Sequence, residues 1–188
     1  MKSLVAASVA LFLSLAPANA AVLVSFQESG ADVIAELAGT LDITGLEAGS
    51  PAGASVSGVS PLEGLVSTNT PGAAQRIFRG TITGPSNFGP GGPGFADSQS
   101  GDSVFFQPLV GFLAMPIDFV AGGVLSASMT FLNQSFASLG MTAGDYVYTL
   151  PADTFTVRLV PALIPLPAGL PLLLGAVGLL ALVRPRRA

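Results

Sequence analysis

The sequence contains no Cys, no His and no Trp, and only 10% of its 188 residues are charged. Without Cys and His the chain has no disulfides, no thiolate or imidazole metal ligands, and no Ser-His or Cys-His catalytic pair. Its only Lys is Lys2, which leaves almost the whole chain without a Ser-Lys pair as well. These absences exclude His-dependent nucleophilic enzymes and the usual zinc sites, and we expect no cofactor.

Apolar residues are concentrated at the two ends of the chain. At the N-terminus a single cation precedes an uncharged apolar run, residues 4–15, which small residues follow. This run is shorter than the roughly 20 residues that a spanning helix requires. It therefore predicts a signal peptide over residues 1–20, in which Ala18 and Ala20 fit signal peptidase and the cut falls before Ala21. An uncleaved N-terminal anchor is the alternative.

The C-terminal end carries a second membrane signal. Residues 162–183 contain no charged residue, and a basic cluster of Arg184, Arg186 and Arg187 follows them. Pro residues interrupt the first part of this run, so the sequence predicts one transmembrane helix over about residues 169–183. An exported N-terminus and a cationic C-terminal tail together place the body outside the cytoplasm and the tail inside it.

A short Pro-rich motif stands directly before the predicted helix. It consists of Ile164, Pro165, Leu166, Pro167 and Ala168. The motif, the Leu-rich span and the Arg cluster resemble the PEP-CTERM class of bacterial sorting signals, and are very similar to its VPLPA-CTERM subtype except at Ile164 and Pro185. The resemblance implies an exosortase, a membrane thiol protease that would cut near this motif and pass the body to the cell surface or its matrix. A plain single-span anchor is the alternative.

Between the two signals lies one predicted extracytoplasmic domain, residues 21–160, which precedes the sorting segment of residues 161–188. This body has three Arg against eleven acidic residues, a net charge of −8. Such a charge repels nucleic acid phosphates, so DNA and RNA are not expected partners. Five segments of the body, residues 82–88, 100–102, 130–140, 144–148 and 153–157, are also similar, in the same order, to a domain commonly found before PEP-CTERM signals, which implies no known chemistry.

The body is rich in short β-branched and aromatic runs separated by Gly, Pro, Asn and Ser. These runs predict an all-β fold, an antiparallel β-sandwich. The predicted strands are residues 22–26, 32–37, 41–44, 76–83, 103–106, 124–131, 146–150 and 154–159. One helical turn is predicted at residues 134–139 with Asn133 as its cap, residues 47–55 are predicted as a loop, and residues 84–94 as a mobile loop. Predicted core residues are Phe131, Phe136, Leu139, Tyr146, Tyr148 and Phe155.

Three chemical functions were weighed for the body. Asp97 and Asp102 lie five residues apart in a polar segment, but it lacks the Gly and bidentate Glu of an EF-hand calcium loop. A glycosidase needs a specific carboxylate pair, and no pair stands out. A sugar-binding sandwich usually has an exposed aromatic platform, for which the chain offers no Trp and two Tyr.

The sequence as a whole therefore predicts a non-enzymatic, exported surface or matrix protein. Its expected partners are the membrane, signal peptidase and an exosortase-type enzyme, with extracellular polysaccharide as a further partner. A permanently anchored module that binds polysaccharide or calcium is the competing interpretation.

Overall fold

A computed structural model describes residues 21–161. The predicted signal peptide, sorting motif, transmembrane helix and Arg cluster lie outside these residues. Within them, no helix is long and apolar enough to cross a membrane. The strands are β1 (Ala21–Ser29), β2 (Asp32–Leu41), β3 (Glu47–Gly53), β4 (Gly58–Ser60), β5 (Leu65–Ser67), β6 (Ala74–Arg79), β7 (Gly94–Phe95), β8 (Ser98–Gly101), β9 (Phe105–Gln107), β10 (Phe112–Pro116), β11 (Gly123–Phe131), β12 (Gly144–Thr149) and β13 (Thr154–Val160). Two 3-10 turns (Pro61–Glu63 and Pro108–Val110) and one helical turn, α1 (Phe136–Leu139), accompany them.

The strands form two sheets, consistent with the predicted all-β sandwich. Sheet A has the order β12-β13-β1-β2-β11-β8, and sheet B has the order β3-β6-β10-β9-β5-β4-β7. The prediction of purely antiparallel pairing is wrong at one place, because β1 and β13 run parallel, with Ala21 beside Thr154 and Gln27 beside Val160. Parallel neighbours cannot be joined by a hairpin, so everything from β2 to β12 forms the connection between them.

The two sheets share one hydrophobic core, to which β1, β2, β11 and β13 contribute by alternating buried apolar residues with more exposed ones. Phe106 of sheet B lies at its centre. Its ring stacks on Phe155 of sheet A at a centroid distance of 4.0 Å and meets Tyr148 edge-on at 5.2 Å. Five of the six predicted core residues are buried, and Tyr146 is half-buried against the same cluster.

Two predictions between residues 41 and 55 are wrong. Leu41 is the last residue of β2, and the chain then turns because the Asp42 carboxylate accepts a hydrogen bond from the Thr44 backbone N–H at 2.9 Å. The predicted loop over residues 47–55 is largely strand β3, which pairs with β6 at the edge of sheet B. Gly and Pro are tolerated there because an edge strand has one side without partners, and a register shift occurs between Ala48 and Pro51.

The segment of residues 84–94, predicted as a mobile loop, is packed against the body. Phe88 is fully buried, and its backbone N–H donates to the Pro61 carbonyl at 3.0 Å. The predicted helical turn is confirmed in position but not in its cap. Ser135, not Asn133, caps α1, because its hydroxyl accepts from the Ser138 N–H while the Ser138 hydroxyl accepts from the Ser135 N–H.

Candidate functional site

The outer face of sheet B carries aromatic side chains at its middle. Successive residues of a strand point to opposite faces, so Phe106 enters the core while Phe105, half-buried, lies on the outer face. Its cross-strand neighbours there are Ser67 on β5 and Ala114 on β10, both small. The ring of Phe105 therefore projects further from the sheet than the side chains beside it on either strand.

Two hollows flank this ring, and we call them together the outer-face groove. The first has a volume of about 210 Å³ and is lined by Asn69, Gln75, Phe105, Gln107 and Phe112, among others. The second has a volume of about 280 Å³ and lies between Phe105 and the exposed Phe95 of β7. Phe105 and Ser55 line both hollows, so the two lie side by side.

The aromatic wall of the groove has a defined geometry. Phe105 meets Phe112 of β10 edge-on, at a centroid distance of 5.4 Å and an angle of 87°. The guanidinium carbon of Arg79 lies 5.1 Å from the centre of the Phe112 ring, a cation–π contact. Gln107 donates to Glu63 at 3.4 Å. The Phe112 ring is thus contacted by both Phe105 and Arg79, which restrains its orientation.

Two buried amides form the polar end of the first hollow. Gln75 Nε2 donates both to Asn69 Oδ1 at 2.8 Å and to the Ser103 carbonyl at 2.9 Å, and the two side chains are only 2% and 1% exposed. Asn69 Nδ2 and Gln75 Oε1 make no hydrogen bond within residues 21–161. The pair therefore offers one donor and one acceptor beside the aromatic wall.

Two matching hairpins build the centre of this face. In each, a strand ends, Pro-Leu-X-Gly makes a 3-10 turn, and the next strand begins, giving β4–β5 around Gly64 and β9–β10 around Gly111. Both Gly residues have a left-handed backbone, with φ of 63° and 60°, and both donate back to the turn's Pro carbonyl. Left-handed φ favours Gly, so the motif sets the turn and with it the alternation of each strand. The repeat at residues 61–64 and 108–111 is the sequence signal that the interpretation above missed.

The candidate calcium ligands Asp97 and Asp102 lie at opposite ends of strand β8. Asp97 Oδ2 accepts from the Leu132 N–H and Asp102 Oδ2 accepts from the Ser126 N–H, both at 2.8 Å. Both carboxylates thus fasten β8 to β11 rather than converge on one point. Among residues 21–161 no group of three acidic side chains is arranged to hold a metal ion.

Other acidic side chains also have structural contacts. Asp153 accepts from the backbone N–H groups of Asp42 at 2.7 Å and Thr154 at 2.6 Å. Arg158 forms a two-point ion pair with Asp145, and this hydrogen bonding lowers the pKa of the Asp145 carboxyl. Asp97, Asp102 and Asp153 thus each accept hydrogen bonds from backbone N–H groups near strand ends, whereas Asp145 pairs with a side chain.

Tyr148 lies behind the groove, and its hydroxyl is fully buried without a hydrogen-bond partner among the described residues. Burial raises its pKa from 10.0 to about 12. The unfolded chain therefore loses this proton at a lower pH than the folded protein does. The contribution of Tyr148 ionisation to stability is thus fully present below pH 10 and is lost as the pH rises toward 12. The expected loss is about 1.4 kcal/mol at pH 11.

We expect Tyr148→Phe to remove this alkaline loss and to raise the free energy of unfolding at pH 8 by about 1 kcal/mol, because an unpaired buried hydroxyl is destabilising. Urea unfolding of both proteins at pH 8 and pH 11 measures the effect. An equal decline in the two proteins would contradict this assignment of the alkaline loss to Tyr148.

The residues predicted for sorting and processing fall almost entirely outside residues 21–161. Ala18, Ala20, the motif of residues 164–168 and Arg184, Arg186 and Arg187 are all beyond the described chain. Ala21 is the exception, and it is the exposed first residue of β1. The outer-face groove was not predicted from sequence, because Trp and Tyr are the expected residues of an aromatic platform and the structure builds it from Phe.

Comparison of the chain with protein-family models, curated proteins and solved structures finds no match.

Proposed function

We propose that this chain is an exported, non-enzymatic bacterial surface or extracellular-matrix protein whose C-terminal segment is a sorting signal processed by an exosortase. The observation that carries the proposal is the order of the Pro-rich motif, the uncharged Leu-rich run and the Arg cluster in residues 164–187. In this proposal residues 1–20 direct export and residues 169–183 stop transfer through the membrane, with the Arg cluster holding the tail inside.

The boundaries of the folded body support this division of the chain. Val22, the residue after the one that the predicted cut would expose, is already fully buried in the core, and β13 ends at Val160, four residues before the motif begins. The described core is built from residues between Val22 and Leu159. A cut at either predicted site would therefore leave the pairing of β1 with β13 intact.

The parallel pairing of β1 and β13 separates the first residue of β1 from the last residue of β13. Both strands run the same way, so Ala21 and Val160 lie at opposite ends of the pair, about 20 Å apart at the usual rise per residue. A membrane-held C-terminus would thus leave the new N-terminus at the far end of this strand pair.

The sorting proposal predicts processing at both ends of the protein. In the native host we expect surface molecules to begin at Ala21 and to lack Arg187. Replacing Pro165 and Pro167 by Ala is expected to leave membrane insertion intact and to trap a full-length membrane form, because a helical segment hides the backbone that a protease must reach. Mass spectrometry of both terminal peptides measures the outcome.

A matched control for that experiment is Pro151→Ala together with Pro161→Ala, two Pro changes that lie before the motif. These are expected to leave processing unchanged. If Arg187 remains attached to the body in essentially all surface molecules of the wild type, the chain is a permanently anchored protein and the sorting proposal fails.

A second function for the delivered body is favoured by the outer-face groove. The competing interpretation of the sequence was a surface module that binds polysaccharide or calcium. The separation of Asp97 from Asp102 by strand β8 gives calcium little support. The aromatic and amide side chains of the groove favour polysaccharide.

A further inference from the structure

We propose that the outer-face groove is a binding site for a neutral saccharide, with Phe105 and Phe112 as its stacking rings and Asn69 and Gln75 as its polar contacts. Of the proposed function, this rests only on export, which would bring the groove to extracellular polysaccharide.

Aromatic and polar groups line the first hollow together. A sugar ring has an apolar C–H face and a rim of hydroxyls that each donate and accept. Phe105 and Phe112 form an apolar wall in the first hollow, and the same hollow holds Asn69 and Gln75. Pockets of this composition, mostly apolar with a few fixed polar groups, are typical of small-ligand sites.

The amide side chains of Asn69 and Gln75 are fixed by hydrogen bonds and still offer further polar atoms. Their mutual hydrogen bond at 2.8 Å and the bond to the Ser103 carbonyl fix their positions at 1% and 2% exposure. Asn69 Nδ2 remains as a donor and Gln75 Oε1 as an acceptor, without partners in residues 21–161. Neither atom is among the fully buried unpaired ones, so both are accessible, and a single hydroxyl, or two adjacent ones, would pair with both.

Few charged side chains line the two hollows. No charged side chain lines the first hollow, and Glu63 is the one charged residue that lines the second. Arg79 contacts the Phe112 ring but lines neither hollow. A uronic acid or sulfated sugar would leave its charge without a counter-ion in the first hollow, which is unfavourable. The site therefore fits a neutral sugar.

The position of the groove favours a saccharide over an extended peptide. Peptides commonly bind sheets by adding a strand to an open edge. The centre of the groove instead lies over β5, β9 and β10, which are interior strands of sheet B, while its two ends reach the edge strands β3 and β7. The backbone groups of β9 are already paired with β5 and β10, so a ligand at the centre meets side chains.

The test uses the full chain, purified in a detergent without a sugar headgroup. It is applied to immobilised neutral gluco-, galacto-, manno- and xylo-oligosaccharides, to matched uronic acid oligosaccharides, and to a set of extended peptides. We expect binding to at least one neutral series. Absence of binding to every neutral series, or preferential binding to the acidic sugars or the peptides, would overturn the proposal.

Variants then locate the site. Phe105→Ala and Phe112→Ala are each expected to raise the Kd for the bound neutral sugar about tenfold, since stacking on the ring is lost. Phe105→Tyr keeps the ring and is expected to bind like the wild type. The matched control is Phe119→Ala, which removes a half-buried Phe that does not line the groove.

Phe105→Leu covers the case in which Phe105→Ala does not fold, because it keeps an apolar side chain but has no ring. Unchanged sugar affinity in the folded groove variants would overturn the assignment. Sugar binding does not depend on cleavage near residues 164–168, so a failure here leaves the sorting proposal standing. An uncleaved tail would likewise leave the groove proposal standing.

Discussion

Replacing Phe106 by Ala is expected to lower the free energy of unfolding of residues 21–161 by about 3 to 5 kcal/mol. Phe106 is fully buried, and its ring contacts Phe155 and Tyr148 of the opposite sheet. Removing it leaves a cavity between the sheets, and the stiff strands on each side cannot close around it. Urea unfolding followed by circular dichroism at 25 °C measures the change.

The matched control is Phe95→Ala, which deletes the same atoms from a side chain that is 68% exposed. It is expected to change the free energy of unfolding by no more than about 0.5 kcal/mol. If Phe106→Ala were as mild as this control, Phe106 would not join the two sheets as the structure describes. A large effect at Phe106 would also support the alternation along β9, in which Phe106 faces the core and Phe105 faces outward.

The second large effect is expected at Gly91, where Ala should lower the free energy of unfolding by about 3 kcal/mol. A Cβ on Gly91 would meet the carbonyl oxygen of Leu139 and lie 2.9 Å from the Cα of Gly140. Both are backbone atoms, which cannot rotate away. The substitution would also push apart the hydrogen bond from the Gly91 N–H to the Gly140 carbonyl, now 3.0 Å.

Gly92 provides the control one residue along the chain. A Cβ there has no neighbour within 4 Å, so Gly92→Ala is expected to be neutral or to stabilise the protein by about 0.5 kcal/mol. Thermal unfolding of the two variants side by side distinguishes a packed segment from a mobile one. Equal, small effects at both positions would restore the interpretation of residues 84–94 as a mobile loop.

The pattern of the sequence was sufficient for the fold class and for much of the core. Phe155, Val157 and Leu159 alternate with Thr156 and Arg158, and the structure buries the first three. Alternation of this kind is local, since it follows from the geometry of a single strand. For the same reason the β11 and β13 strands were predicted close to their observed bounds.

Composition does not predict the structure correctly where distant parts of the chain meet. Residues 84–94 are rich in Gly and Pro, which favours a loop, but it does not show whether the loop packs. Gly residues there let the backbone approach residues 139–141, and Phe88 fills the core between. Strand β3 likewise depends on its partner β6, because its own residues have low strand propensity.

The sequence by itself determined the all-β class and the acidic character of the body, and it predicts the two membrane signals at its ends, because each depends on residue types within short stretches. The tertiary structure decided which of the neighbours Phe105 and Phe106 faces the core and which faces outward. It also brought Asn69, Gln75, Phe105 and Phe112 together from β6, β9, β10 and the segment after β5. Strand order and register set that meeting, and both depend on long-range pairing that no single stretch of sequence contains.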